Sequence, residues 1–220
     1  MSSLVACASP PKNSSVKVQQ TAKTGMTYVA LGASDTFGTG TDNPELESWP
    51  SDLTRLLGDR AHLVNLGIPG INVHDALRVE LPVALDAHPD LVTVWLAVND
   101  LADQVPVASY AQDLDTLIQR LQTSFPHTRI AVANVPDLTL VPRFQTYNIQ
   151  QLRALIAGYN TAIASVANNH HIILVDLYQT WRELANHPEY ISSDGFHPNR
   201  SGYLRVAQIF YQVLRQNGIS

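Results

Sequence analysis

From residue 27 onward, short β-branched runs alternate with longer stretches whose apolar residues recur at helical spacing. The runs are Thr27 to Leu31, Leu63 to Leu66, Leu91 to Leu96, Ile130 to Val135 and Ile172 to Leu177. They are almost continuously apolar, as strands are when both faces are covered. Between them, Trp49, Leu53 and Leu56-Leu57 form one helical stripe. Val73 to Leu85 forms another, with Pro82 tolerated inside it. Tyr110, Leu114, Leu117 and Leu121 form a third, and Leu152, Leu155-Ile156, Tyr159 and Ile163 a fourth. A last helix is expected from about Arg200 to Gln216, stopped by Asn217-Gly218. Strand–helix alternation of this kind predicts an α/β fold with a parallel sheet of five strands and helices on both faces. Right-handed crossovers then bring every strand's C-terminal end to one edge, where open α/β sheets bind ligands.

That edge collects the polar features of the sequence. Gly32-Ala33-Ser34-Asp35 follows the first strand and Asn65-Leu66-Gly67-Ile68-Pro69-Gly70 the second. Ala97-Val98-Asn99-Asp100 follows the third, and Ser193-Asp194-Gly195-Phe196-His197-Pro198 lies beyond the fifth. Ser34, in a strand-to-helix turn, has the position of a helix cap, but its hydroxyl can also project over the sheet edge. A serine hydroxyl needs a base to become a nucleophile at neutral pH. Asp194 and His197 are three residues apart in a turn before a helix. Asp194 can therefore hold one ring nitrogen of His197 while the other faces Ser34. The competing reading of that segment is an Asp-Gly turn followed by a surface histidine. Oriented donors for a developing oxyanion are available from the Gly70 N–H, the Asn99 side-chain amide and the Ser34 N–H. Equally, Gly70 can be one half of a Pro-Gly turn and Asn99 a cap.

Taken together, these blocks resemble the SGNH (GDSL-type) hydrolases, in the correct order from about Thr27 to Gln216. Trp49-Pro50 also looks like the tryptophan that opens that family's first helix. The resemblance implies a flavodoxin-like three-layer α/β/α sandwich and no metal or cofactor. It implies Ser34 as nucleophile, His197 as base and Asp194 as its partner, with Ser34, Gly70 and Asn99 forming the oxyanion hole. The expected reaction is hydrolysis of carboxylic esters, with acyl or acetyl esters of lipids, sugars or other small molecules as substrates. Two positions depart from the pattern. Gly-Asp-Ser-Leu is here Gly32-Ala33-Ser34-Asp35, so the acid before the serine is missing. Gly-x-Asn-Asp is here Ala97-Val98-Asn99-Asp100, which adds a methyl group beside the expected oxyanion site. These departures leave room for a second reading, an impaired module on the same fold that binds cell-wall carbohydrate or lipid.

Other function classes have less support. The formal net charge is −5 with no basic run, which argues against a nucleic-acid partner. Residues 32–40 lack both the Lys-Ser/Thr ending of a P-loop and a full Gly-x-Gly-x-x-Gly pattern. His62, His74, His88, His127, His170, His171 and His187 are scattered without metal-ligand spacing. Phe144, Tyr147 and Phe196 can line an acyl pocket or serve as ordinary packing residues.

The domain is expected over 26–220, preceded by a polar, Ser-, Pro- and Lys-containing tail over 1–25 that reads as a flexible linker. In that tail, Leu4-Val5-Ala6-Cys7 resembles a bacterial lipobox, which would tether an extracytoplasmic protein to a membrane through Cys7. Only six residues precede Cys7, with no charged n-region or full apolar h-region. The other reading is a chance cysteine in the tail of a cytoplasmic protein.

Overall fold

The computed structural model describes residues 25–219, so the expectations for the tail and Cys7 lie outside the described residues. Five parallel strands form one sheet: β1 (Met26–Gly32), β2 (Ala61–Asn65), β3 (Leu91–Trp95), β4 (Arg129–Ala133) and β5 (Ile173–Val175). Their order is β2-β1-β3-β4-β5, the flavodoxin-like arrangement in which the chain reverses its winding direction at β1. The register pairs Ala30 with Asn65 and Gly32 with Trp95. β1 and β3 thereby end level, β2 ends two residues earlier, and the three loops that leave them are neighbours.

The central strands are apolar on both faces because helices cover both. Residues 28–31 of β1 and 91, 92 and 94 of β3 have no exposed surface. On one side α3 (Trp49–Leu57) packs against α9 (Arg200–Gln216), with the Trp49 and Phe210 rings stacked 4.3 Å apart. On the other lie α4 (Val73–Asp86), α6 (Val107–Ser124) and α7 (Ile149–Asn169), where Tyr110 meets Tyr159 at 4.9 Å. Stripes at a period of 3.6 supply both layers. Tyr110, Leu114, Leu117, Ile118 and Leu121 of α6 are all fully buried.

Three short helices sit at the functional edge: α1 (Ser34–Phe37), α2 (Pro44–Glu47) and α5 (Val98–Ala102). A fourth, α8 (Leu177–Thr180), shortens the expected fifth strand, because Asp176 accepts from the Gln179 N–H and turns the chain into a helix. The connection from β4 to α7 contains two 3-10 turns, Leu138–Leu140 and Pro142–Phe144. Among the described residues no helix is long and apolar enough to cross a membrane.

Candidate active site

The turn that carries Ser34 is shaped by glycine at its base. A Cβ on Gly32 would collide with the Thr36 side chain, so only glycine lets β1 run directly under the first turn of α1. Ser34 opens that turn. Its carbonyl accepts from the N–H groups of Gly38 and Thr39, at 3.0 Å each, which closes the short helix. Ser34 is 8% exposed, so its hydroxyl has a restricted approach.

Asp194 and His197 are held by a hairpin whose arms join through the bridge between Ile191 and Pro198. The Ser192 N–H donates to the His197 carbonyl at 2.8 Å, and Gly195 takes a positive φ of 70° at the tip. Asn199 then caps α9 by accepting from the Gly202 N–H at 3.1 Å. The hairpin aims the imidazole across the sheet edge. Its Nε2 lies 2.9 Å from the Ser34 Oγ, and its Nδ1 lies 2.6 Å from the Asp194 Oδ2. The other Asp194 oxygen accepts from the Ser192 hydroxyl at 2.8 Å and from the N–H groups of Phe196 and His197 at 2.8 and 3.0 Å. Burial alone would raise the Asp194 pKa. The hydrogen bonds from His197, Ser192 and the two backbone N–H groups outweigh burial and hold it at about 2. The carboxylate is therefore anionic at neutral pH. It fixes the imidazole tautomer with the proton on Nδ1, leaving Nε2 to accept from the serine hydroxyl.

The second and third edge loops are tied to this turn and to each other. The Asn65 amide donates to the Thr36 carbonyl at 2.9 Å, and its oxygen accepts from the Gly67 N–H at 3.0 Å. The Ile68 N–H donates to the Gly32 carbonyl at 3.0 Å. These bonds carry the loop past α1 to Gly70, which has a φ of 83° and open space where a side chain would be. The Asn99 Nδ2 donates to the Ile71 carbonyl at 2.8 Å, while the Asp100 carboxylate accepts from the Val73 N–H at 3.2 Å. Asn99 is thus inside α5 rather than capping it, and it engages the residue after Gly70. Its amide has a second N–H to offer a ligand. Among the described residues no backbone carbonyl accepts from the N–H of Ser34 or of Gly70.

Ala97 shows what its departure from the motif entails. Its φ is 131°, a conformation that favours glycine, and it is 2% exposed at the start of α5. Asp35, the residue after the serine, makes no hydrogen bond through its carboxyl among the described residues. Burial raises its pKa to about 6, with His197 pulling it down and Asp194 pushing it up. It is a second acid beside the imidazole.

The connection from β4 to α7 packs against the hairpin. The Arg143 N–H donates to the Gly195 carbonyl at 2.9 Å, its guanidinium lies 5.4 Å from the centre of the Phe196 ring, and Phe144 meets Phe196 at 5.7 Å. Behind Phe144 opens a cavity of about 450 Å³, lined by Leu101, Val105, Tyr147, Leu152, Leu155 and Tyr159 among others. Phe144 and Tyr147 line this cavity, while Phe196 packs on His197 with ring centres 4.4 Å apart and lines a separate small pocket with Asp35, Trp95 and Val98. Ser192 was not anticipated from sequence. Its signal was its place two residues before Asp194, from which a hydroxyl reaches back to a turn carboxylate.

Residues 30–205 match the GDSL-like Lipase/Acylhydrolase family. Over 192 residues the chain is 28% identical to the GDSL esterase/lipase At5g45920 of Arabidopsis thaliana, covering 78% of this chain and 80% of that one. Among solved structures, the acetyl xylan esterase AlAXEase superposes with a TM-score of 0.69 at 18% identity, over 86% of this chain and 100% of that one. The psychrotrophic esterase EstA from Pseudoalteromonas sp. superposes with a TM-score of 0.69 at 19% identity, over 86% and 97%. At these identities the superpositions speak for the fold.

Proposed function

Because the chain belongs to the GDSL-like lipase/acylhydrolase family and is a carboxylic ester hydrolase, we propose that it works through an acyl-enzyme formed on Ser34. The observation that carries this reading is the unbroken path from the Ser34 Oγ through His197 to Asp194, at 2.9 and 2.6 Å. In the first half-reaction the Ser34 oxygen attacks the ester carbonyl carbon as the His197 Nε2 takes the hydroxyl proton. The carbonyl π electrons move onto oxygen. That oxyanion is stabilised by the N–H groups of Ser34 and Gly70 and by the Asn99 amide. Collapse expels the alcohol, which takes the proton from His197. In the second half-reaction water, deprotonated by the same nitrogen, attacks the acyl carbon; collapse breaks its bond to the Ser34 oxygen, which takes the proton back from His197 as the acid leaves. Asp194 stays ionised throughout and stabilises the imidazolium.

The substrate reading is narrower. The cavity beside α5 is mostly apolar and adjoins the helix that bears Asn99, which supports its use for an acyl chain or another apolar substrate group. A fluorophosphonate probe tests the nucleophile directly. Mass spectrometry should find the adduct on the peptide containing Ser34, and the Ser34→Ala protein should take no label. Equal labelling of both proteins at another residue would remove Ser34 from the reaction.

A further inference from the structure

Asp35 and Glu80 are acids that this mechanism leaves unused. Glu80 is 1% exposed in the interior of α4, packed into the core with neither carboxyl oxygen hydrogen-bonded. Asp35 differs, because it lines a pocket. That pocket is the small one it shares with Trp95, Val98, Leu138, Trp181 and Phe196, a cavity of about 20 Å³ whose other lining residues are all apolar or aromatic. This is room for about one water-sized group. The wall is built from sequence neighbours of the site itself. Asp35 follows Ser34, Val98 precedes Asn99, and Phe196 and Pro198 flank His197. A substrate group seated here therefore belongs to the part of the ester nearest the carbonyl that Ser34 attacks.

One position of this wall breaks its pattern. Gly-Asp-Ser-Leu has a leucine where this chain has Asp35, and a leucine would complete an apolar lining. Instead the lining holds a partly buried carboxyl that accepts no hydrogen bond from any described residue. Such groups are normally paired with protein, water or ligand. Although burial raises its pKa to about 6, Asp35 is ionised at pH 8, and an ionised carboxylate only accepts. A plain hydrocarbon group would displace water from the pocket and leave the carboxyl unpaired, which is costly. A hydroxyl matches both the space and the acceptor. We propose that this pocket is a subsite for a substrate hydroxyl, carried one or two carbons from the ester linkage, with Asp35 as its acceptor. Asp35 is then a specificity-determining residue for short hydroxylated esters, and the cavity behind Phe144 stays available for an apolar group of the same substrate. The proposal rests on the reading of Ser34 as nucleophile.

The test uses the full-length chain and measures kcat/KM at pH 8, by titration of the released acid, for ethyl acetate, ethyl glycolate and 2-hydroxyethyl acetate. The second ester carries its hydroxyl on the acid side and the third on the alcohol side. Each hydroxylated-to-plain ratio is compared between wild type and Asp35→Leu, so that differences in intrinsic ester reactivity cancel. At least one ratio should fall by about tenfold or more in Asp35→Leu, because a site built to bind a hydroxyl discriminates strongly for it. The ester whose ratio falls identifies the side that enters the pocket. Asp35→Asn keeps an acceptor oxygen and should retain more of the preference than Asp35→Leu; equal loss in both would overturn the acceptor role. Unchanged ratios for both hydroxylated esters in Asp35→Leu would overturn the subsite. If Asp35→Leu fails to fold, Asp35→Ala is read by the same ratios and decides. Turnover that is absent, or that survives Ser34→Ala, would refute the triad reading without touching the subsite. Tryptophan fluorescence, which Trp95 and Trp181 report from the pocket wall, then measures binding of the three esters to the Ser34→Ala protein. Tighter binding of a hydroxylated ester would uphold the subsite, and equal affinity for all three would overturn it.

Discussion

Replacing Ala97 with glycine separates backbone strain from side-chain packing at the entrance to α5. A non-glycine residue held at such a φ costs on the order of 1–3 kcal/mol. Glycine would relieve that strain. It would also forfeit one buried methyl, about 0.8 kcal/mol, and incur roughly 0.5–1 kcal/mol of backbone entropy. The balance lies between a loss of about 0.8 and a gain of about 1.7 kcal/mol, centred near neutrality. Ala84 provides the control, because it is fully buried in the interior of α4 with ordinary helical neighbours. Ala84→Gly loses the same methyl and about 1 kcal/mol of helix propensity, for a total near 2 kcal/mol. For a chain of this size, that total is a fall in Tm of roughly 4–8 °C. Urea unfolding of both variants at one pH gives the comparison. Ala97→Gly should lose no more than about 0.8 kcal/mol, or gain, while Ala84→Gly loses about 2 kcal/mol. Equal losses in the two would show that the Ala97 backbone carries no strain, and the account of this departure would fail with it.

Asp194→Asn should lower kcat by about 10³–10⁴-fold, because an amide can no longer enforce the imidazole tautomer or stabilise its charge; a loss under tenfold would contradict the assigned partner. The depressed Asp194 pKa also predicts a sign. Its stabilisation is present above the ordinary aspartate range and is lost as pH falls towards about 2, so the stability gap between wild type and Asp194→Asn should close between pH 4 and 2. Glu80 behaves oppositely: its pKa is raised from 4.5 to about 9, so the unfolded chain ionises first and stability declines as pH rises between those values. Unfolding free energies at pH 6 and 8 should show Glu80→Gln gaining on wild type by at most about 2.7 kcal/mol, and a constant difference would contradict the buried neutral acid. Leu155→Trp, which fills the cavity behind Phe144, should shift preference towards shorter acyl chains; an unchanged p-nitrophenyl ester profile would detach that cavity from catalysis.

The strand–helix alternation made the sheet legible because doubly covered strands must be apolar on both faces. The polar blocks at strand ends then made Ser34 and His197 legible as neighbours, although they are 163 residues apart. What stayed hidden was of two kinds. Ser192 and the bond from Asn99 to Ile71 depend on side-chain reach across turns, which spacing alone does not specify. Glu80 was hidden by the helical stripe itself. An acid between Ala76 and Ala84 looks like a solvated position until the sheet covers it, and only the fold shows it buried with both carboxyl oxygens unpartnered. Ala97 is the converse case: the motif comparison located the added methyl, but its cost appears only in the φ of 131°.

Ester hydrolysis by this chain is proposed to depend on the Ser34 hydroxyl. The most direct measurement is kcat/KM for p-nitrophenyl acetate through decanoate, by wild type and Ser34→Ala, with melting curves to show that both are folded. Removal of a nucleophile from a working triad costs on the order of 10⁴-fold or more, and the account predicts a loss of that size at every chain length that wild type hydrolyses. A folded Ser34→Ala protein that turns these esters over at the wild-type rate would contradict it.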